Sequence, residues 1–327
     1  MNEPKLMFAT GKRYGTKIRY DTKFLMNGTV GVKGFDIQYP EGGIDDMTPV
    51  FHNMVTDLSY DIGEQAFAHY LIAKDRGKPL TAIPAFPSRI FPHFGVSVNR
   101  GSGIESPEDL VGKRVGFSDW GFNPAVWMRG ILTHQYDVPI ERIIWVVDKH
   151  EPLFYGLDYP HSRRFQIEKI DVPEGRSRGF RGLMHEGFVD ALFTAAAGIP
   201  SDEQARKLFD DPYAEIRAYV AQTGVFPLNT VVTIRDDVVA KHPDLPQALM
   251  DAWNEADRRY IEELRTGDEE AYHMNLDVRA LESMGVFPIG YGLEPNRPAI
   301  RMMIQYCYEQ GLIRTLFEPE DLFAETT

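Results

Sequence analysis

The stretch FPSRIFPHF, residues 86–94, places Ser88, Arg89 and His93 in a loop broken by Pro87 and Pro92. It separates two apolar runs, LTAIPAF and GVSV. A guanidinium offers a planar fork to a carboxylate, phosphate or sulfonate. An imidazole ordinarily titrates close to neutral pH and can move a proton. The pair four residues apart is therefore read either as an anion clamp with a proton donor or as a polar crossing between two domains.

A second stretch, KRVGFSDWGFNPAVWMRG (113–130), runs from a strand pattern through a short loop into a helix start. Ligands of open α/β sheets sit beyond the carboxyl ends of strands, where free N–H groups and the helix dipole favour anions. Ser118, Asp119, Trp120 and Asn123 are expected to line that place. Arg129, six residues further on, reaches it only if its side chain points back toward the helix N-terminus, the usual direction; the alternative is a solvated helix face. Phe86, Phe91, Phe94, Trp120, Phe122, Trp127 and Phe226 cluster near these loops, which suits a flat ring ligand or, residue by residue, core packing.

Other chemistries lack their signatures. There is no GxSxG elbow, no GxxxxGK[ST] loop and no HExxH, and neither GxG spacing (101–103, 290–292) opens a βαβ unit. The nine histidines are scattered; His185 fits a helix C-terminus and His242 precedes a proline at a helix end. The single cysteine, Cys307 in RMMIQYCYEQ, reads as a small buried hydrophobe and leaves no intrachain disulfide. No metal site and no organic cofactor are expected.

The elements that must carry these residues follow from composition and pattern. A chain of 327 residues with 43% hydrophobic and 25% charged residues is globular and long enough for two domains. A net charge of −13 argues against nucleic acid as a partner. The N-terminus MNEPKLMFAT lacks a leader pattern and no apolar run approaches a membrane span, so a cytoplasmic protein that does not engage a membrane is expected. Short apolar runs alternate with helical patterns, which predicts an α/β fold. Strands are expected at 5–10, 34–39, 60–64, 80–86, 95–99, 113–117, 143–147, 189–194, 215–220 and 229–234. Ser106 with Pro107, and Asn123 with Pro124, mark helix starts. Leu249, Trp253, Ala256, Tyr260 and Leu264 form one face of a long helix. With no low-complexity linker, two domains joined by crossing strands are expected: 1–96 with 230–327, and 97–229.

HYLIAKDRGKPLTAIPAFPSRIFPHFGVSVN, SGIESPEDLVGKRVGFSDWGFNPAVWMRGIL, TGVFPLNTVVTIRDDV and the tail YGLEPNRPAIRMMIQYCYEQGLIRTLFEPEDLF resemble the 4,5-dihydroxyphthalate decarboxylase family, over roughly residues 5–325. The resemblance implies a two-lobe fold like that of type II periplasmic binding proteins, with the ligand in a cleft between the lobes. It also implies decarboxylation of a dihydroxy-aromatic dicarboxylate. Carried over to this chain, it implies Ser88, Arg89 and His93 in the site, with Arg129 from the helix and Glu64 as a strand-end acid in YDIGEQAF. Asn229 and Thr230, in PLNTVV, are taken as substrate-binding; Thr230 stands where relatives often have histidine. The roles expected are carboxylate binding by Arg89 and Arg129, proton donation by His93, and polarisation of a ring hydroxyl by Glu64. The partner implied is a small aromatic carboxylate, and a homo-oligomer stays open. The alternatives are a non-catalytic solute-binding protein for an aromatic or sulfonate-like anion, and another lyase on the same fold.

Overall fold

The computed structural model describes residues 3–326 apart from 12, 15–16, 19, 42, 151–163, 173–175, 196–199, 267–271 and 274–275. The chain divides into two compact units, one of residues 1–89, 228–301 and 317–327 and one of 90–227 and 302–316.

The first unit holds β1 (Lys5–Ala9), β2 (Arg13–Tyr14), β3 (Lys17–Ile18), α1 (Tyr20–Met26), β4 (Asp36–Gln38), α2 (Thr48–Thr56), β5 (Ile62–Ala66), α3 (Phe67–Asp75) and β6 (Leu80–Ile83) before the crossing. Its sheet runs β4-β1-β5, then a strand from beyond the crossing, then β6. β1 is parallel to β4 and β5, with Phe8 opposite Ile62 and Ala9 opposite Gly63. All five residues of β5 are buried, which fits a strand covered on both faces.

The second unit holds β7 (Val96–Asn99), β8 (Arg114–Phe117), α4 (Asn123–Gln135), β9 (Ile144–Asp148), β10 (Gln166–Ile170), α5 (Arg176–His185), β11 (Ala191–Phe193), β12 (Ala205–Lys207) and α6 (Pro212–Thr223). Its sheet runs β10-β9-β8-β11-β7-β12. β8 is parallel to β9 and β11, while β7 is antiparallel to β11 and β12.

The chain then returns to the first unit as β13 (Thr230–Arg235), which lies antiparallel between β5 and β6, followed by α7 (Asp236–Lys241) and α8 (Leu245–Thr266). β14 (Tyr272–His273), β15 (Leu276–Asp277), α9 (Val278–Ser283) and α10 (Leu293–Glu309) follow. Leu249, Trp253 and Ala256 of α8 pack on Phe8, Ile62, Val232 and Ile234, so the helical spacing in the sequence marks the face that meets the sheet. Each such large apolar side chain contributes about 1.5–3 kcal/mol when fully buried.

Several expectations change. Residues 215–220 lie inside α6 and are not a strand. Asp211 caps that helix by accepting from the Ala214 N–H at 3.0 Å, and Pro212 sits in the first turn. Gly224 ends it at φ 66°, and its buried residues, Ile216, Tyr219 and Val220, follow the helical period. Residues 302–316 group with the second unit rather than with the terminal segments, and the first crossing falls at 89–90 rather than 96–97. Residues 302–316 pack on α4: a Cβ on Gly130 would stand 2.1 Å from the Tyr306 ring, and Trp127 meets that ring edge-on. Residues 107–110 form a 3-10 turn, in which the Asp109 carboxylate accepts from the Glu105 and Ser106 N–H groups at 2.9 Å. In α4, Phe122 holds the capping position and Asn123 is the first helical residue.

Candidate functional site

In the first unit the expected residues converge on one end of the sheet. Glu64 lies in β5, 1% exposed, and one carboxylate oxygen accepts from the Thr10 hydroxyl at 2.8 Å. Thr10 follows β1, and continuing the β1–β5 register sets it opposite Glu64. Glu64 also pairs with Val232 of β13, and Ala66 with Thr230. Side chains alternate across a strand. Thr10, Glu64 and Thr230 therefore share the face that carries Phe8, Ile62 and Val232, at the carboxyl ends of the parallel strands. The Thr230 hydroxyl is buried with no hydrogen-bond partner among the described residues.

Ser88 and Arg89 leave this sheet alongside the returning chain. The Ser88 carbonyl accepts from the Asn229 and Thr230 N–H groups at 2.9 and 3.2 Å. The Asn229 side-chain amide donates to the Ser88 hydroxyl at 3.1 Å. Arg89 is 5% exposed and donates through Nη2 to the Asn296 Oδ1. Asn296 in turn donates to the Gly290 and Gly292 carbonyls at 3.0 and 2.7 Å, which fixes the amide with its oxygen toward the guanidinium. Burial lowers the Arg89 pKa to about 10, so the group stays charged at neutral pH. This half of the arrangement offers a buried cation, a carboxylate and hydroxyls, a set suited to an anion that also carries hydroxyl groups.

The second unit places its residues differently. Ser118 donates to the neighbouring Asp119 carboxylate at 3.1 Å, and Asp119 and Asn123 are both buried between β8 and the start of α4. Arg129 is fully buried, and its side chain points back toward the loop that precedes α4. Its Nε donates to the Gln310 side-chain oxygen at 2.7 Å and its Nη2 to the Trp120 carbonyl at 2.6 Å. Its guanidinium lies 3.9 Å from the centre of the Trp120 ring, with Phe117 and Trp145 also around it. Gln310 completes the node by donating to the Val126 carbonyl at 2.9 Å. Trp120 is wholly buried in this aromatic cluster.

His93 is also fully buried, on the second unit's side of the crossing. The rings of Phe91, Phe209 and Tyr219 stand 5.6–6.5 Å from it, centre to centre. Neither ring nitrogen has a hydrogen-bond partner among the described residues. Burial pushes its pKa down to about 3, so it is neutral at physiological pH. A general acid needs a dissociable proton near the working pH. Burial of His93 favours its neutral form over the protonated one.

Thr10, Asn296 and Gln310 escaped the sequence reading. Each is a polar residue buried against a partner far away in sequence, a feature with no local signature. Among the described residues, no group of three or more His, Cys, Asp or Glu could hold a metal ion, and no helix is long and apolar enough to cross a membrane.

Residues 40–143 match the family model described as NMT1/THI5 like. The chain is 28% identical over 313 residues to a protein named 4,5-dihydroxyphthalate decarboxylase from Comamonas testosteroni, covering 91% of this chain and 92% of that one. A protein of the same name from Pseudomonas putida is 31% identical over 128 residues, 39% of this chain and 48% of that one. Among solved structures, the alkanesulfonate-binding protein SsuA from Xanthomonas axonopodis pv. citri, bound to MOPS, superposes with a TM-score of 0.53 at 15% identity, covering 100% of each chain. SsuA from Escherichia coli, a periplasmic aliphatic sulphonate binding protein, gives 0.52 at 15% identity, over 99% of this chain and 98% of that one. The fold is thus the α/β fold of the periplasmic binding proteins.

Proposed function

We propose that this chain, which is similar to proteins named 4,5-dihydroxyphthalate decarboxylase, is a carboxy-lyase acting without oxidation on a hydroxylated aromatic carboxylate or dicarboxylate of the 4,5-dihydroxyphthalate kind. The product is a catechol-type acid. The observation that carries this reading is the likeness to the Comamonas protein along 91% of this chain and 92% of that one. The buried Glu64 and Arg89 support it, because the reaction needs a proton acceptor and a carboxylate anchor.

Direct loss of CO₂ from an aryl ring leaves a carbanion in the ring plane, without resonance stabilisation. Protonating the ring carbon first avoids it. In the proposed sequence the ionised Glu64 takes the proton of the hydroxyl para to the departing carboxylate. The ring oxygen's electron density then flows to the carbon bearing that carboxylate, which takes a proton from water. The carbon–carboxylate bond breaks, its electron pair restores the aromatic ring, and CO₂ leaves. Glu64 returns its proton to the ring oxygen, so the net change is one solvent proton consumed per CO₂ released. Deprotonating the hydroxyl makes the ring carbon basic enough for water to act as acid, and His93 has no part in this scheme. Arg89 takes a carboxylate through its planar fork. Ser88, Asn229 and Thr230 supply hydrogen-bonding groups.

The test is incubation of the protein with 4,5-dihydroxyphthalate and with unsubstituted phthalate in D₂O. Release of CO₂ from the first, with deuterium at the vacated carbon, and inertness of the second are expected. Binding of either without CO₂ would overturn the enzymatic reading and favour a solute-binding role on the same fold. Loss of water without CO₂ would identify a different lyase.

A further inference from the structure

The α8-facing side of the first unit's sheet is apolar at Phe8, Ile62, Val232 and Ile234, then becomes polar at Thr10, Glu64 and Thr230. A carboxylate removed from water at such a boundary tends to take up a proton unless donors hold the charged form. The Thr10 hydroxyl donates to the Glu64 Oε2 at 2.8 Å, and Thr10 is fully buried. A threonine has one hydroxyl proton, and here it is directed at the carboxylate. A bond from a neutral donor to an ionised acceptor is stronger than one between neutral groups. The backbone supports the geometry, because Thr10 directly follows the β1 residues paired with β5.

We infer that Thr10 is a positioning residue for Glu64, holding its carboxylate ionised and fixing one oxygen so that the group can accept a ligand's hydroxyl proton. The functional half of this inference rests on the decarboxylase reading, in which Glu64 is that acceptor. The hydrogen bond and its effect on titration are independent of turnover. Threonine and valine have nearly the same shape, so Thr10→Val removes the donor with little change in packing. Thr10→Ser keeps the donor and loses a methyl group. A threonine that only fills space gives the opposite ranking, with valine the milder change.

The experiment is a pH titration of the full-length protein carrying ¹³C-labelled glutamate carboxyls, followed by NMR, with Glu64→Gln used to assign the Glu64 signal. Thr10→Val is expected to raise the Glu64 midpoint by about one pH unit over the wild type. Thr10→Ser is expected to keep the wild-type midpoint. If Thr10→Val does not fold, Thr10→Ala carries the same expectation. The acid limb of the kcat/KM profile should move up with the NMR midpoint in Thr10→Val and stay in place in Thr10→Ser. An unchanged midpoint in Thr10→Val, or a midpoint in Thr10→Ser moved as far as in Thr10→Val, overturns the inference. Absence of CO₂ release by the wild type overturns the decarboxylase reading instead and leaves the titration result standing by itself.

Discussion

Replacing Arg129 by lysine separates two meanings of a buried arginine. As a carboxylate anchor, Arg129 would cost ligand affinity when changed and little stability. As the structure has it, the guanidinium ties Trp120 and Gln310 together in the second unit, with bonds of 2.6 and 2.7 Å and an aromatic ring 3.9 Å from its centre. Hydrogen bonds to a charged group contribute about 1.5–3 kcal/mol each, and a desolvated cation over tryptophan about 2 kcal/mol. Lysine keeps the charge but has no planar fork, so it cannot reproduce the two-point geometry or the stacking on Trp120. These terms overlap, and about 3 kcal/mol is the expected net loss. For a unit of about 150 residues this corresponds to a fall in Tm of roughly 6–12 °C. Differential scanning calorimetry measures it, and isothermal titration with 4,5-dihydroxyphthalate well below the transition measures affinity, expected to stay within about threefold of wild type. A fall of less than about 2 °C together with lost binding would refute the assignment of Arg129 to the core.

Three further outcomes are expected. Arg89→Lys, which loses bidentate geometry and the contact with Asn296, should weaken carboxylate binding by about tenfold or more in the same titration; unchanged affinity removes Arg89 from the anchor role. His93 titrates near 6.5 when unfolded and near 3 in the folded chain, so the unfolded state takes the proton first. Stability from this group is full above pH 6.5 and is lost as pH falls toward 3, by up to about 5 kcal/mol. Urea unfolding of His93→Leu across that window should show a flatter acid slope, and parallel wild-type and variant curves would contradict the buried, neutral imidazole. Gly130→Ala should destabilise by about 1–3 kcal/mol despite alanine's better helix propensity, because the new methyl meets the Tyr306 ring at 2.1 Å; a rise in Tm would show that the ring moves aside freely.

The sequence by itself determined a good part of the architecture. Apolar runs alternating with helical periods specify an α/β chain, and nine of the ten expected strands coincide with or overlap observed ones. The Leu249-Trp253-Ala256-Tyr260 spacing specifies both α8 and the face it buries. The same kind of signal was present in α6 at Ile216, Tyr219 and Val220, with Asp211 and Pro212 before it, but the β-branched and aromatic residues of 215–220 suggested a strand. In such a short run, propensity and periodicity disagree, and the caps decide.

The candidate site was legible as residue types and not as roles. Arg89, Glu64, Ser88, Asn229 and Thr230 are polar residues at strand ends, which the sequence can mark. Only the tertiary structure decided that Arg129 is held in an aromatic core, that His93 is enclosed and neutral, and that residues 302–316 pack with α4. It also supplied Thr10 for Glu64, Asn296 for Arg89 and Gln310 for Arg129, across separations of 54, 207 and 181 residues. The physical reason is one of range. Caps, turns and periodic faces arise from neighbours within a few residues, so they are written locally. The charge state of a buried group depends on what surrounds it in space, and the partner that satisfies it comes from a distant part of the chain only after folding.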